Sequence, residues 1–146
     1  MSTILTLAFT HLLTLPDPPQ GTLAEFDYCA DEALLRVCWC GHLTAERVVH
    51  GAQTALQLSA TRTVRRVLND KSGSSGSWEE ALPWFHYDWL PQAVAGGVRA
   101  LAYVLPPDSQ GWPAAEEFLR FARQQLAISL FRSRATALQW LLRQPG

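Results

Sequence analysis

Several features that would identify an activity directly are missing from this chain. Its 146 residues contain neither the phosphate-binding motif G-x-x-x-x-G-K-[ST] nor the zinc motif H-E-x-x-H. Lys71 is the only lysine, and the formal net charge is −1. Such a chain has no strong basic field to attract nucleic acid. We therefore expect no nucleic acid partner, no metal site and no cofactor.

Cysteine is also scarce, and its placement argues against disulfides. Three cysteines are present, at positions 29, 38 and 40, so they cannot all pair within one chain. Cys38 and Cys40 lie two positions apart in a predicted strand, where a bridge would be strained. A lone C-x-C is a weak metal signal. Reduced thiols are expected, and these favour a cytoplasmic location.

No hydrophobic run is long enough to cross a membrane. The N-terminal segment ILTLAFTHLLTL is short, interrupted by polar residues and not preceded by a basic residue. We interpret it as a packing arm or an extra strand, followed by the proline-rich stretch PDPPQG. The expected organisation is an arm and linker over residues 1–21 and one α/β domain over residues 22–146.

Hydrophobic periodicity gives the order of elements in that domain. Strands are predicted over residues 25–30, 34–40, 64–68, 98–105 and 127–131, and helices over 45–60, 113–125 and a stretch after Ser133. A further helix begins at Ser77, where Ser77 and Glu80 match a capping box, and prolines at 83 and 91 should kink it. This order predicts a mixed, mostly parallel sheet of four to five strands with packed helices.

The stretch VRRVLNDKSGSSGSWEE, residues 64–80, is the most informative segment. Sites in open α/β sheets collect at the carboxyl ends of strands, and the backbone N–H groups of the next helix favour negative charge. The candidate residues of this loop are Asn69, Asp70, Ser72, Ser74, Ser75 and Ser77. Phosphorylation of one of these serines would add a charge of about −1.5 to −2 to a docking surface. The alternative is a polar loop held by Asn69 and Asp70, with Ser77 as a helix cap.

The aromatic residues that follow the loop indicate a second candidate surface. Trp78, Trp84, Phe85 and Trp89 lie on the kinked helix and favour a partner surface or a pocket wall. The alternative is that part of this set fills the core. Cys40 and His42 have the residue types of a thiol nucleophile and its base, but their spacing is poor evidence for catalysis. We assign no catalytic residue and expect no enzyme.

In their order along the chain, several short segments resemble SpoIIAA-like domains, the α/β fold shared by STAS domains and CRAL-TRIO lipid-binding domains, and in particular an uncharacterised bacterial branch. They are Trp39, Gly41, Leu68-Asn69-Asp70, Gly76-Ser77-Trp78, Trp89-Leu90-Pro91, Gly97, Ala137 and Trp140-Leu141. For STAS domains the resemblance implies regulatory protein–protein interaction, switched by phosphorylation of a hydroxyl in the loop after the third strand. Only Ser74-Ser75-Gly76 matches the usual Asp-Ser-Ser-Gly pattern of that loop, with Gly73 in place of the aspartate.

Two functions follow as hypotheses. The first is a non-enzymatic regulatory interaction domain that uses the serine loop, with the arginine-rich C-terminal helices as a second surface and a homodimer as one possible assembly. The second is a carrier or sensor of a small apolar ligand, as the CRAL-TRIO resemblance implies. The second hypothesis requires an apolar cavity, lined by rings such as Trp84, Phe85, Trp89 and Phe118. A filled core would count against it.

Overall fold

The computed structural model describes residues 7–18 and 21–145. The first six residues of the predicted arm and residues 19–20 of the predicted linker lie outside this part. The strands are β1 (Thr10–Asp17), β2 (Gly21–Cys29), β3 (Leu34–Trp39), β4 (Gly41–Leu43), β5 (Arg66–Asp70), β6 (Ser74–Gly76), β7 (Ala100–Val104) and β8 (Ala127–Phe131). The helices are α1 (Ala45–Ser59), α2 (Leu82–Trp84), α3 (Leu90–Ala95), α4 (Trp112–Ala122) and α5 (Arg134–Arg143).

The main sheet has six strands in the order β1-β2-β3-β5-β7-β8. The first two pairs are antiparallel and the other three are parallel. The predicted mixed, mostly parallel sheet with packed helices is therefore confirmed. The sixth strand comes from the N-terminal segment, which adds β1 at the sheet edge. Outside this sheet, β4 and β6 form a short parallel pair that joins two loops.

The two faces of the sheet are covered by different helices. On one face, α1, the helical segment 79–95 and α4 bury the larger core, which includes Val67 of β5. On the other face, α5 covers Leu68 and the alanines of β7. Burial on both sides explains why all five residues of β7 are apolar and buried.

Helix α1 forms where its capping residue and apolar spacing predict it. The Thr44 hydroxyl accepts a hydrogen bond from the Arg47 N–H at 3.3 Å, which satisfies one of the free donors of the first turn. The small residues Gly51, Ala52 and Ala55 face the sheet. Gly51 lies directly against the indole ring of Trp39, so a larger residue has no room there.

The segment after Ser77 differs in detail from the prediction. The capping box does not form: the Ser77 hydroxyl accepts from the Glu79 N–H, and a 3₁₀ turn over Glu79–Ala81 begins the segment. A π-helical turn over Phe85–Trp89 then connects α2 to α3. Pro83 and Pro91 occupy the first turns of α2 and α3, where a missing N–H costs nothing. The expected kinked helix is thus present, with its irregular turn between the two prolines.

Among the described residues, no helix combines the length and apolar character that crossing a membrane would need.

The contact between α1 and Trp39 gives a first prediction. A Gly51→Ala variant gains helix propensity, but its new methyl group overlaps the Trp39 ring. Since overpacking a core costs about 1–3 kcal/mol, we expect the free energy of unfolding to fall by about 1–2 kcal/mol in urea denaturation. Gln53→Ala, at an exposed position of the same helix, is the control and should be nearly neutral. Equal or greater stability of Gly51→Ala would contradict this packing.

Candidate functional site

A cavity of about 220 Å³ lies between the sheet and the helices α1 and α3. Its wall is mainly apolar, with aromatic rings from both the sheet and the kinked helix. The lining residues are Leu35, Trp39, Val48, Ala52, Ala55, Leu56, Ser59, Ala60, Val67, Asn69, Lys71, Phe85, Trp89, Gln92, Ala93, Gly96, Val98 and Tyr103. This set contains no aspartate or glutamate.

The solvent exposure of the lining residues shows which end of the cavity is open and which is buried. Ala60, Gln92 and Gly96 are exposed and mark the mouth. Ala60 and Gly96 directly follow α1 and α3, and Gln92 lies within α3. Lys71 and Tyr103 are buried and lie near the carboxyl ends of β5 and β7. The cavity therefore extends from its exposed mouth to a buried end near the carboxyl ends of β5 and β7.

Lys71 is the unusual residue of the inner end. Its side chain is 3% exposed, and no ion pair links it to another described residue. Three aromatic rings surround its ammonium group, whose Nζ lies 4.0 Å from the ring centroid of Trp78, 5.3 Å from that of Trp39 and 5.5 Å from that of Tyr103. Burial in these surroundings lowers the pKa of Lys71 to about 7, because the charged form loses its hydration.

Asp70 precedes Lys71 but points to the opposite face of the sheet. Its carboxylate accepts hydrogen bonds from the Arg134 Nε at 2.6 Å and from the Ser72 hydroxyl and N–H at 2.6 and 3.0 Å. Burial by itself would raise the pKa of Asp70, but the bonds from Ser72 and Arg134 outweigh it and the pKa is lowered. Asp70 thus ties the loop to α5 and is unavailable to Lys71.

Asn69 faces the cavity and holds the ring of Trp39, which lines the cavity, in place. Its Oδ1 accepts a hydrogen bond from the Trp39 indole N–H at 3.2 Å. On the same face, burial raises the pKa of Tyr103, which keeps its phenol neutral. The loop-holding role expected for Asn69 and Asp70 therefore falls to Asp70, while Asn69 fixes Trp39.

The four serines of the loop have different surroundings. The Ser72 hydroxyl is held by Asp70, and the Ser74 hydroxyl donates to the backbone carbonyl of Lys71 at 2.8 Å. Ser77 is exposed and accepts from the Glu79 N–H. The Ser75 hydroxyl lies 3.1 Å from the His42 Nδ1, and both residues are exposed. Ser75 is thus the loop serine whose hydroxyl pairs with an exposed basic side chain.

Of the aromatic residues that the sequence analysis named, some line the cavity and others lie in the hydrophobic core. Phe85 and Trp89 line the cavity, and the Trp89 indole N–H donates to the Ala52 carbonyl at 3.2 Å. Trp78 is only 1% exposed, so it forms no partner surface; it packs in the core beside Lys71. Trp84 is half-buried against Phe85 and lies outside the cavity. Phe118, expected in the wall, is fully buried within the aromatic cluster instead.

The remaining surface offers little apolar area for self-association. Within the described residues, Tyr87 is the one large apolar side chain that is exposed, at 71%. A homodimer stays a prediction, without the patch of exposed aromatic residues that motivated it.

On the C-terminal basic surface, Arg134 is engaged with Asp70, while Arg120, Arg123, Arg132 and Arg143 are exposed.

The cysteines show no sign of activation. Burial raises the pKa of both the Cys38 and the Cys40 thiol, which lowers the fraction of reactive thiolate. The Cys40 Sγ contacts the Cys38 carbonyl at 3.9 Å, whereas His42 pairs with Ser75.

In residues 7–18 and 21–145, no three side chains of His, Cys, Asp or Glu lie together as metal ligands.

Sequence reasoning missed Lys71, Tyr103 and Arg134 as site residues. Lys71 could have been found from the alternation of side chains along β5, in which every second residue points to the same face. Val67 and Asn69 face the cavity, and Lys71 is the next residue in that alternation. Arg134 had no comparable signal, since it lies 64 positions from its partner Asp70 and the two meet only through the fold.

The pair formed by Asp70 and Arg134 predicts a specific acid sensitivity. Because the native pKa of Asp70 lies below its ordinary value of 3.8, the pair stabilises the fold above about pH 4 and loses this effect as the pH falls through the native pKa. Asp70→Asn should lower the free energy of unfolding at pH 7 by about 2 kcal/mol and make it less dependent on pH below 4. Urea denaturation over pH 2–7 measures both. Asp31→Asn, at an exposed acid, is the matched control; an equal loss in both variants would contradict the assignment.

Comparison with known proteins adds a likeness of fold. No protein-family model matches the chain, and no curated protein matches it. Among solved structures, it is similar to an uncharacterised protein of the DUF3478 family with a SpoIIAA-like fold from Shewanella loihica PV-4. The identity is 20%, the match covers 97% of this chain and 98% of the other, and the TM-score is 0.48. At this identity and TM-score the likeness transfers no function.

Proposed function

We propose that this chain is a non-enzymatic binding domain that carries or senses a small apolar ligand. The observation that supports this function best is the apolar cavity between the sheet and α1, which has an exposed mouth and a buried end. Apolar cavities with a few polar groups at one end are the usual form of small-molecule sites. The ligand function, which began as the alternative hypothesis, thus has the stronger geometric support.

The size of the cavity limits the ligand. An apolar cavity of about 150 Å³ binds benzene, so in proportion about 220 Å³ accommodates roughly nine non-hydrogen atoms. Sites for drug-sized molecules measure about 300–1,000 Å³. The ligand is therefore a single aromatic or bicyclic ring, or a short aliphatic chain, and a long-chain lipid would not be enclosed.

The wall provides complementary surfaces for a flat apolar molecule. Trp39 and Tyr103 come from the sheet, and Phe85 and Trp89 come from the opposing helical segment. A ring between them gains offset or edge-to-face contacts in addition to apolar burial. Hydrogen bonds fix the indoles of Trp39 and Trp89, so little rotamer freedom is lost on binding.

Blocking the cavity tests this proposal. Ala55 lines it from α1, so Ala55→Phe should weaken the binding of indole, a probe of matching size, at least tenfold in isothermal titration calorimetry. Gln57→Phe adds the same ring to the exposed side of α1 and should bind indole as the wild type does. Ala93→Leu, which fills the cavity from α3, serves if Ala55→Phe does not fold. Absence of indole binding in the wild type, or equal binding by all variants, would refute the proposal.

A second candidate function is regulated binding of a protein partner through the loop 72–77. Ser75 supports it, because its exposed hydroxyl already lies beside His42, a basic group that can pair with a phosphate. The loop also touches the inner end of the cavity, since the Ser74 hydroxyl donates to the Lys71 carbonyl.

Intact mass measurement on protein purified from its native cells tests this second function. We expect a phosphate adduct that maps to Ser75 and disappears in Ser75→Ala. Ser77→Ala, the control, should keep the adduct because Ser77 serves only to start the helical segment. An unmodified mass for the wild type would contradict the hypothesis of a phosphorylation switch. An adduct on Ser77 would contradict the assignment of the modified residue to Ser75.

A further inference from the structure

The inner end of the cavity holds a basic group, Lys71, that has no counter-ion among the described residues. Lys71 is buried, and in the described part of the chain no carboxylate pairs with it. Its neighbour Asp70 faces the other side of the sheet and is already paired with Arg134. A buried charge is ordinarily retained only where it is paired or hydrogen-bonded. The rings around Nζ offset the lost hydration only in part.

The ammonium group is accessible from the cavity. Two of the three rings that surround Nζ, those of Trp39 and Tyr103, also line the cavity, so Nζ lies at its wall. The third ring, that of Trp78, closes the rear. A ligand that enters at the mouth and fills the apolar part ends with its innermost atoms at this cation.

A second donor lies on the same wall. Asn69 uses its Oδ1 for the Trp39 indole, and none of the residues described accepts a hydrogen bond from its Nδ2. Neither Lys71 nor Asn69 brings a negative charge, and none of the described residues that line the cavity is acidic. The polar end of the site therefore offers donors and positive charge, the complement of a carboxylate with two acceptor oxygens.

We propose that the ligand is a small carboxylic acid whose carboxylate pairs with Lys71 Nζ and accepts from Asn69, while its apolar body lies between Trp39 and Trp89. This inference rests on the proposed ligand function and specifies its chemistry. An arylacetate or a short aliphatic acid of about nine to ten non-hydrogen atoms has the required size.

A pair of nearly isosteric probes separates charge from shape. Phenylacetate and phenylacetamide differ at the head group only, so the wild-type chain should bind the acid at least tenfold more tightly at pH 6, where Lys71 is mainly charged. In Lys71→Met the apolar length is kept and the charge is lost. There we expect the acid to lose at least tenfold in affinity and the amide to change less than threefold. Arg120→Met, which removes an exposed charge on α4, should leave both affinities unchanged.

The single lysine allows a direct spectroscopic readout. In protein labelled with ¹³C at the lysine ε-carbon, one lysine signal is expected, from Lys71. The groups facing its Nζ are Trp39, Trp78 and Tyr103, of which Tyr103 alone titrates. Phenylacetate should shift the midpoint of the Lys71 titration upward, because a bound anion favours the charged form, whereas phenylacetamide should not.

The outcomes distinguish this inference from the function on which it rests. If indole and phenylacetamide bind but phenylacetate binds no better, or if Lys71→Met keeps the preference for the acid, the assignment of Lys71 is overturned and the apolar ligand function stands. If none of the three probes binds, both are overturned.

Discussion

Side-chain alternation at the end of β5 separates two opposite charges that would otherwise pair. Asp70 turns towards α5 and binds Arg134, while Lys71 turns towards α1 and the cavity. Asp70 and Lys71 are thus buried on opposite faces of the sheet, and within the described part of the chain Asp70 has an ionic partner and Lys71 has none. An unpaired buried ion costs several kcal/mol, and a desolvated cation–π contact returns about 2 kcal/mol. The site owes its electrostatic character to this imbalance.

The two charges act on stability in different pH ranges. For Asp70 the native pKa is lowered, so its contribution is present at neutral pH and is lost only in acid. For Lys71 the native pKa is also lowered, from 10.5 to about 7, so the native state binds fewer protons than the unfolded state between these values. Stability therefore rises with pH across that range as the penalty for burying the ammonium disappears. At neutral pH Lys71 weakens the fold, and an anionic ligand would relieve that cost.

The sequence predicted the framework better than the site, for physical reasons. The fully apolar β7 and the Thr44-capped α1 follow local rules, because burial on both faces and a capping hydroxyl leave clear patterns. The capping box at Ser77 was wrong, since the segment begins as a 3₁₀ turn that brings the Glu79 N–H to the hydroxyl first. Trp78 was assigned to a surface because its neighbouring prolines hide the helical period. Lys71 was treated as a loop residue, although the alternation of β5 continues through it.

The cavity itself follows from small side chains on helices that are held apart from the sheet. The Trp39 ring packs against Gly51. Beside this ring, the short side chains of Ala52, Ala55 and Ala93 leave a space that the π-helical turn over Phe85–Trp89 does not fill. At about 24 cal/mol per Å³, a fully empty void of about 220 Å³ would cost about 5 kcal/mol, an upper bound because this one opens to solvent. A ligand present at 100 times its dissociation constant stabilises the native state by about 2.7 kcal/mol. A bound acid would thus offset a large part of the cavity penalty while also supplying the charge that Lys71 lacks, which is why apolar shape and anionic head group belong to the same ligand.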